Sequence, residues 1–230
     1  MLLLAWASLA SSAPVLAQAY QCTLPKRIER PPPETPKGPV RRGPVAAYTL
    51  AASWSPEYCR LAHNKGSMQC SGANGRFGFV LHGLWPEARF GPSPQWCSTT
   101  PRPSPELIRR NLCMTPVPWL LEHEWAKHGS CITGKPETYF KVSAILWRSL
   151  RWPDADRLSR QKDLTAGDLR RAFVRANPAW QAQQVGILAS RTGWLREVHL
   201  CYGRDFMPRN CPARIFGPAD VAPLKIWRGL

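Results

Sequence analysis

Three of the five histidines lie in two short segments that are rich in Trp, Gly, Glu and Lys. In the first segment, residues 79–86, an apolar run predicts a strand that carries His82 at its end. In the second segment, residues 122–131, Glu124 and His128 are four residues apart. A helix advances about 100° per residue, so these two side chains would share one face. The segments therefore offer imidazole and carboxylate groups for acid/base chemistry.

His123 and Lys127 form a second pair with the same spacing, beside the first. Two imidazoles, a carboxylate and an ammonium group suit transesterification of an RNA phosphodiester. In that reaction the 2'-hydroxyl loses a proton, the leaving 5'-oxygen gains one, and charge builds on the phosphate between them. The alternatives are structural: a strand-end histidine satisfied by the backbone, and a solvated, charged helix face.

The dipeptide His123-Glu124 also begins like the H-E-x-x-H zinc motif, in which two histidines at i and i+4 hold one ion. His123 and His128 are instead five residues apart, which turns them about 140° from each other on a helix. Lys127 would add positive charge beside a cation. We therefore expect neither a metal ion nor another cofactor.

Strands and helices must position these segments. Apolar runs predict strands, the last two forming a hairpin, at Val45–Trp54, Phe77–Leu81, Gln184–Ala189 and Trp194–Cys201. Proline and capping signals predict helices that start at Ser104-Pro105, span Pro118–Lys127, span Pro136–Leu150, and follow Thr165 as far as Arg175. Helices in the middle with strands at both ends predict an α+β fold, a single domain with a central antiparallel sheet and packed helices.

The N-terminal part of the chain is organised differently. Residues 1–19 carry no charge and end in Ala17-Gln18-Ala19, which is typical of a signal peptide, although the basic start is missing and an apolar anchor is the alternative. Residues 20–44 are Pro-rich and basic, and they predict a linker or disordered arm before a domain at residues 45–230.

Cysteine content and charge point to the compartment and to the partner. Eight Cys without any C-x-x-C pair indicate disulfide bridges and therefore a periplasmic or extracellular protein. Lys and Arg number 31 against 15 Asp and Glu, which gives a net charge of +16 and favours a polyanion such as RNA, DNA or an anionic membrane. The alternative is that this charge serves solubility alone.

Together, HGLWP at residues 82–86 and HEWAKHGSC at residues 123–131 resemble the two active-site segments of the T-two (T2) family of acid endoribonucleases, which includes the fungal Rh and plant S enzymes. The resemblance extends thinly over residues 45–215 and makes residues 45–230 a ribonuclease domain. It implies metal-independent cleavage of single-stranded RNA through a 2',3'-cyclic phosphate. The connection from Cys97 to Glu122 is short for this pattern, and residues 221–230 match nothing in it.

The resemblance also implies a role for each matching residue. His128 would be the general base towards the 2'-hydroxyl and His82 the general acid towards the leaving oxygen. Glu124 and Lys127 would stabilise the phosphate in the transition state, and His123 would help to bind it.

Base recognition is expected at fewer positions. Trp85 matches a position where the family stacks a base, although a packed Trp under the loop is an equal alternative, and Glu87 matches a carboxylate that contacts adenine in some members. Trp119 and Leu120 are expected to flank a second base site. Because stacking tolerates every base, we expect low base specificity.

The family's cysteine positions imply three bridges, and these are Cys59–Cys70, Cys97–Cys131 and Cys201–Cys211. Cys22 and Cys113 are left over, and their pairing stays open among the connectivities that eight Cys allow.

We expect a monomer that binds RNA without stable membrane insertion, and the sequence does not indicate whether a protein inhibitor binds it. The rival functions are a basic nucleic-acid-binding or toxin-like protein that keeps the fold without catalysis, and a metal-dependent hydrolase.

Overall fold

A computed structural model describes residues 19–228, and it shows helices packed against an antiparallel sheet. The strands are β1 (Ala19–Cys22), β2 (Ala47–Trp54), β3 (Gly75–Phe77), β4 (Phe79–Glu87), β5 (Val185–Ala189) and β6 (Leu195–Gly203). The helices are α1 (Ser55–Cys59), α2 (Pro105–Asn111), α3 (Pro118–Lys127), α4 (Pro136–Arg148), α5 (Ala155–Leu158), α6 (Ala166–Ala176) and α7 (Ala213–Phe216).

The main sheet has the strand order β4-β2-β6-β5, and every neighbouring pair is antiparallel. Seven of the eight residues of β2 are buried, as its nearly continuous apolar sequence requires of a central strand. One hydrophobic cluster joins Leu50 of β2 and Leu84 of β4 to Ile108 of α2 and Trp125 of α3. The predicted α+β fold with a central antiparallel sheet is therefore confirmed.

α3, which carries Glu124, and the other long helices begin at the residues that the sequence indicated. Proline occupies the first turn of α2, α3 and α4, where its fixed φ suits a helix and its missing N–H leaves no bond unmade. α6 begins with a capping box in which Thr165 and Asp168 satisfy each other's backbone N–H groups. These local signals set where each helix begins, and α3 then packs on β4 through the core that contains Leu121 and Trp125.

The described part of the chain contains four disulfides, and they are Cys22–Cys113, Cys59–Cys70, Cys97–Cys131 and Cys201–Cys211. The last three are the pairs that the family resemblance implied. The first joins the two cysteines that the resemblance left over.

Residues 20–44 were expected to be a linker or disordered arm, but the structure packs them against the rest of the domain. Arg30 donates to the carbonyl of Pro103, Arg41 and Gln95 exchange two backbone hydrogen bonds of 3.0 Å, and Glu34 is only 7% exposed. The sequence did not indicate this packing because the contacts come from scattered polar groups and from the isolated apolar side chains of Leu24 and Ile28, without apolar periodicity. The signal peptide expected at residues 1–19 lies outside the described residues except for Ala19. Within residues 19–228, no helix is both long and apolar enough to cross a membrane.

We predict that the double variant Cys22→Ser/Cys113→Ser loses about 2–5 kcal/mol of unfolding free energy, because this bridge restricts the unfolded chain over a long loop. The two cysteines are 91 residues apart, against 11 for Cys59 and Cys70. Urea unfolding of both double variants measures the difference. A larger loss for the Cys59/Cys70 variant would contradict the prediction.

Candidate active site

His82 and Glu124 meet where β4 packs against α3. The Nε2 atom of His82 lies 3.4 Å from Oε1 of Glu124, and Trp85 donates from Nε1 to Oε2 of Glu124 over 2.7 Å. The carboxylate is 3% exposed and the imidazole 29%. A buried carboxylate thus faces a histidine that solvent and a substrate can reach.

His128 follows the last residue of α3 and also contacts Trp85. Its backbone N–H donates to the carbonyl of Glu124, which keeps the two residues one turn apart. Its ring packs against Trp85 with a centroid distance of 5.5 Å and an interplanar angle of 34°. Its Nδ1 is buried and has no hydrogen-bond partner within residues 19–228. The structure therefore gathers the predicted His82, Glu124 and His128 around one indole.

The two imidazoles have opposite electrostatic environments. Burial opposes the charge on His82, yet the carboxylates of Glu124 and Glu197 overcome it and raise the pKa of His82 to about 10. Burial lowers the pKa of His128 to about 4, and the attraction of Glu124 does not offset it. Burial also disfavours the charge on Glu124, but both histidines together hold the pKa of this carboxyl below its ordinary value. At neutral pH, His82 is therefore protonated and His128 is a free base.

Two residues of β6, Glu197 and His199, complete this group, and neither was a candidate from the sequence. Glu197 accepts a hydrogen bond of 2.7 Å from Nδ1 of His82 and another of 2.7 Å from Nε2 of His199. The ring of His199 meets that of Trp85 edge-on at 5.4 Å. Glu197 and His199 are two residues apart on one strand, so alternation along β6 was the available signal for a shared face.

Gly83 allows the close approach of Glu124 to β4. A Cβ atom at this position would overlap Oε2 of Glu124 and lie 2.9 Å from Nε1 of Trp85. The hydrogen bond between these two side chains therefore requires a residue without a Cβ at position 83.

We predict that Gly83→Ala lowers kcat/KM on RNA about 100-fold, because it displaces the Glu124 carboxylate and a shift of about 1 Å in a group that acts in catalysis has an effect of that size. Gly43→Ala is the matched control, since no atom lies within 4 Å of a Cβ built there. Initial rates on one oligonucleotide compare the two. Unchanged rates in Gly83→Ala would mean that the carboxylate need not occupy this position.

The predicted phosphate-binding histidine, His123, contacts the N-terminal segment. Its Nδ1 is 3.1 Å from Oε2 of Glu34, and its ring stacks on Trp119. Trp119 donates to the other oxygen of Glu34 over 2.6 Å. Lys127 ends α3, and its carbonyl accepts from the backbone N–H of Trp96. Glu34 was not a sequence candidate, because its partner is 89 residues away along the chain.

The predicted base-binding residues have different surroundings. Trp85 lies at the centre of the site, between His82, His128 and His199. Glu87 accepts hydrogen bonds from side chains, and the donors are Thr49, Ser93 and Arg214. Trp119 is 43% exposed, and Leu120 beside it is half-buried. Of these, Trp119 offers the most open aromatic surface.

Across the described positions, no three His, Cys, Asp or Glu side chains are arranged to hold a metal ion. The carboxylates of Glu124 and Glu197 instead pair with Trp85 and with the imidazoles of His82 and His199. This arrangement suits proton transfer between protein groups and a bound substrate.

Comparison with known proteins gives consistent similarities. The model of the Ribonuclease T2 family matches residues 45–162. A probable ribonuclease of Haemophilus influenzae is 32% identical over 190 residues, which are 77% of this chain and 65% of that protein. A ribonuclease of Aeromonas hydrophila is 33% identical over 163 residues, or 69% and 72% of the two chains. The crystal structure of RNase NT in complex with 5'-AMP is similar in fold, with a TM-score of 0.63 and 17% identity over 80% of this chain and 98% of that one. The chain thus spans just under two thirds of the length of the first of these relatives.

Proposed function

Because the chain belongs to the ribonuclease T2 family of RNA-cleaving enzymes, we propose that it is a secreted endoribonuclease that cleaves single-stranded RNA by metal-independent transesterification. One observation carries the mechanism: two histidines flank one buried carboxylate and have pKa values displaced in opposite directions. Residues poised in this way are an acid and a base at the same pH.

The reaction uses both histidines in one displacement. Neutral His128 accepts the proton of the 2'-hydroxyl, and the resulting oxygen attacks the phosphorus. The bond from phosphorus to the 5'-oxygen breaks, and His82 gives that oxygen its Nε2 proton. The products are a 2',3'-cyclic phosphate and a 5'-hydroxyl, and the enzyme is left with a protonated His128 and a neutral His82.

Glu124 keeps a cationic neighbour throughout this exchange. Before the reaction His82 carries the proton beside it, and afterwards His128 does, one turn along the same helix. A buried carboxylate without such a partner would be costly, so Glu124 stabilises both charged states. Lys127 and His123 are the remaining groups proposed to face the phosphate, where positive charge stabilises the developing oxyanion.

Substrate choice follows from the charge and the aromatic surfaces. A net charge of +16 favours RNA without regard to sequence. The proposed stacking surfaces are the parts of Trp85 and Trp119 that histidine rings leave open, whereas the carboxylate of Glu87 is already hydrogen-bonded to protein groups. Low base specificity is therefore part of the proposal. The four disulfides support an oxidising compartment, the periplasm or the cell exterior.

The pH dependence follows from the two pKa values. The base must be neutral, so kcat/KM should rise as pH increases through about 4, the pKa of His128. The acid must be protonated, so kcat/KM should fall only as pH increases through about 10, the pKa of His82. Rates on a dinucleotide across this range, at constant ionic strength, measure both limbs. A profile that still rises between pH 6 and 7, near the ordinary pKa of about 6.5, would contradict this assignment.

The 2'-hydroxyl provides the test of the reaction type. An RNA oligonucleotide and a matched one with a single 2'-deoxynucleotide at the cleavage position are incubated with the protein in excess EDTA. We expect the first to be cleaved at that position and the second to stay intact there. Cleavage of both, or loss of all cleavage in EDTA, would favour a metal-dependent hydrolase; binding of both without cleavage would favour a binding protein.

A further inference from the structure

We propose that Glu197 is a positioning residue for His82, which holds the imidazole by Nδ1 so that the Nε2 proton is the one transferred. This inference rests on the proposed function, in which His82 is the general acid.

Both oxygens of the Glu197 carboxylate have hydrogen-bond partners. Oε1 accepts from Nδ1 of His82 over 2.7 Å and from Oγ of Ser53 over 2.9 Å. Oε2 pairs with Nε2 of His199 over 2.7 Å. Ser53 on β2 is the register partner of Glu197 on β6, and β2 lies between β6 and β4 in the sheet. Glu197 therefore reaches across the central strand to hold a side chain of β4.

The direction of the hydrogen bond determines which proton moves. An ionised carboxylate only accepts, so Nδ1 of His82 must carry a hydrogen whenever this bond is present. When the cation loses one proton, the loss is therefore from Nε2, the nitrogen beside Glu124. Without Glu197, the neutral ring could place its hydrogen on either nitrogen, and only one tautomer is then ready to be protonated again on Nε2.

The negative charge of Glu197 also stabilises the protonated form of His82. The groups that act on His82 are Glu124 and His128 at the end of α3 and Glu197 on β6, and His199 pairs with the other oxygen of Glu197. Two carboxylates favour the imidazolium ion, and the pKa of Glu197 is held far below its ordinary value, by its two histidine partners against the effect of burial. Removing Glu197 leaves one carboxylate beside the ring.

The test compares Glu197→Gln, which keeps the shape and removes the charge, with Glu197→Asp, which keeps the charge. The pKa of His82 is measured by NMR titration of histidine-labelled protein, assigned with His82→Ala, and kcat and KM are measured across pH. We expect Glu197→Gln to lower the pKa of His82 by about one to three pH units and to move the alkaline limb of kcat/KM with it. We expect kcat to fall at least about tenfold, with KM nearly unchanged, and Glu197→Asp to recover part of both.

Glu106→Gln is the charge-matched control, because Glu106 is exposed on α2 and pairs with Arg109. Urea unfolding identifies any effect that comes from stability alone. A pKa of His82 and an alkaline limb that stay unchanged in folded Glu197→Gln, while the wild type cleaves RNA, would overturn this inference and leave the proposed function standing. Absence of RNA cleavage by the wild type would overturn the proposed function and this inference with it.

Discussion

Replacing His82 with alanine is expected to lower kcat on RNA by about 10²–10⁴-fold, the usual contribution of one general acid or base. The loss should be much smaller on a nucleoside 3'-(4-nitrophenyl phosphate), because nitrophenolate leaves without a proton. The structure supports this expectation because the Nε2 atom of His82 is paired only loosely with Glu124, at 3.4 Å, while Nδ1 is tightly held. Release of nitrophenolate and cleavage of RNA are measured on the same preparation.

His63→Ala is the matched control for that experiment, because His63 is exposed in a turn after α1. It should leave both rates unchanged. An equal loss on the two substrates in His82→Ala would show that His82 has another role than protonation of the leaving oxygen.

His128→Ala is expected to lower kcat by about 10²–10⁴-fold on both substrates, because each of them needs its 2'-hydroxyl deprotonated. The lowered pKa of His128, about 4, makes it a free base throughout the neutral range. The contrast between the two variants is therefore a stronger test than either loss alone. If His128→Ala instead had a nearly normal kcat on the nitrophenyl ester, His128 would be the general acid and His82 the general base.

The elements that carry the site were predictable because their signals are local. α3 spans Pro118–Lys127 as its proline and helical spacing indicated, and Glu124 and His128 share the expected face. A strand before His82 was also predicted, but its bounds were wrong. Phe77 ends β3, and His82 lies inside β4 rather than at its end, because β2 pairs with β4 as far as Glu87. Short-range patterns of hydrophobicity and capping determine such elements almost by themselves.

The remaining partners of the site depend on contacts that no local pattern contains. Glu197 reaches His82 across 115 residues of sequence, and this depends on the register of β6 against β2. Glu34 reaches His123 from a segment whose prolines and charges predict no structure. Both residues make polar contacts with distant parts of the chain, so neither hydrophobic periodicity nor the two histidine segments indicate them.

The chemical identity of the new RNA ends tests the proposed transesterification most directly. Mass spectrometry of the fragments from a defined oligonucleotide, taken at early times in excess EDTA, distinguishes the alternatives. We predict a 2',3'-cyclic phosphate on one fragment and a 5'-hydroxyl on the other, formed by the wild type and barely detectable with His82→Ala or His128→Ala. Fragments with a 5'-phosphate and a free 3'-hydroxyl would contradict it, because attack by water rather than by the 2'-hydroxyl produces those ends.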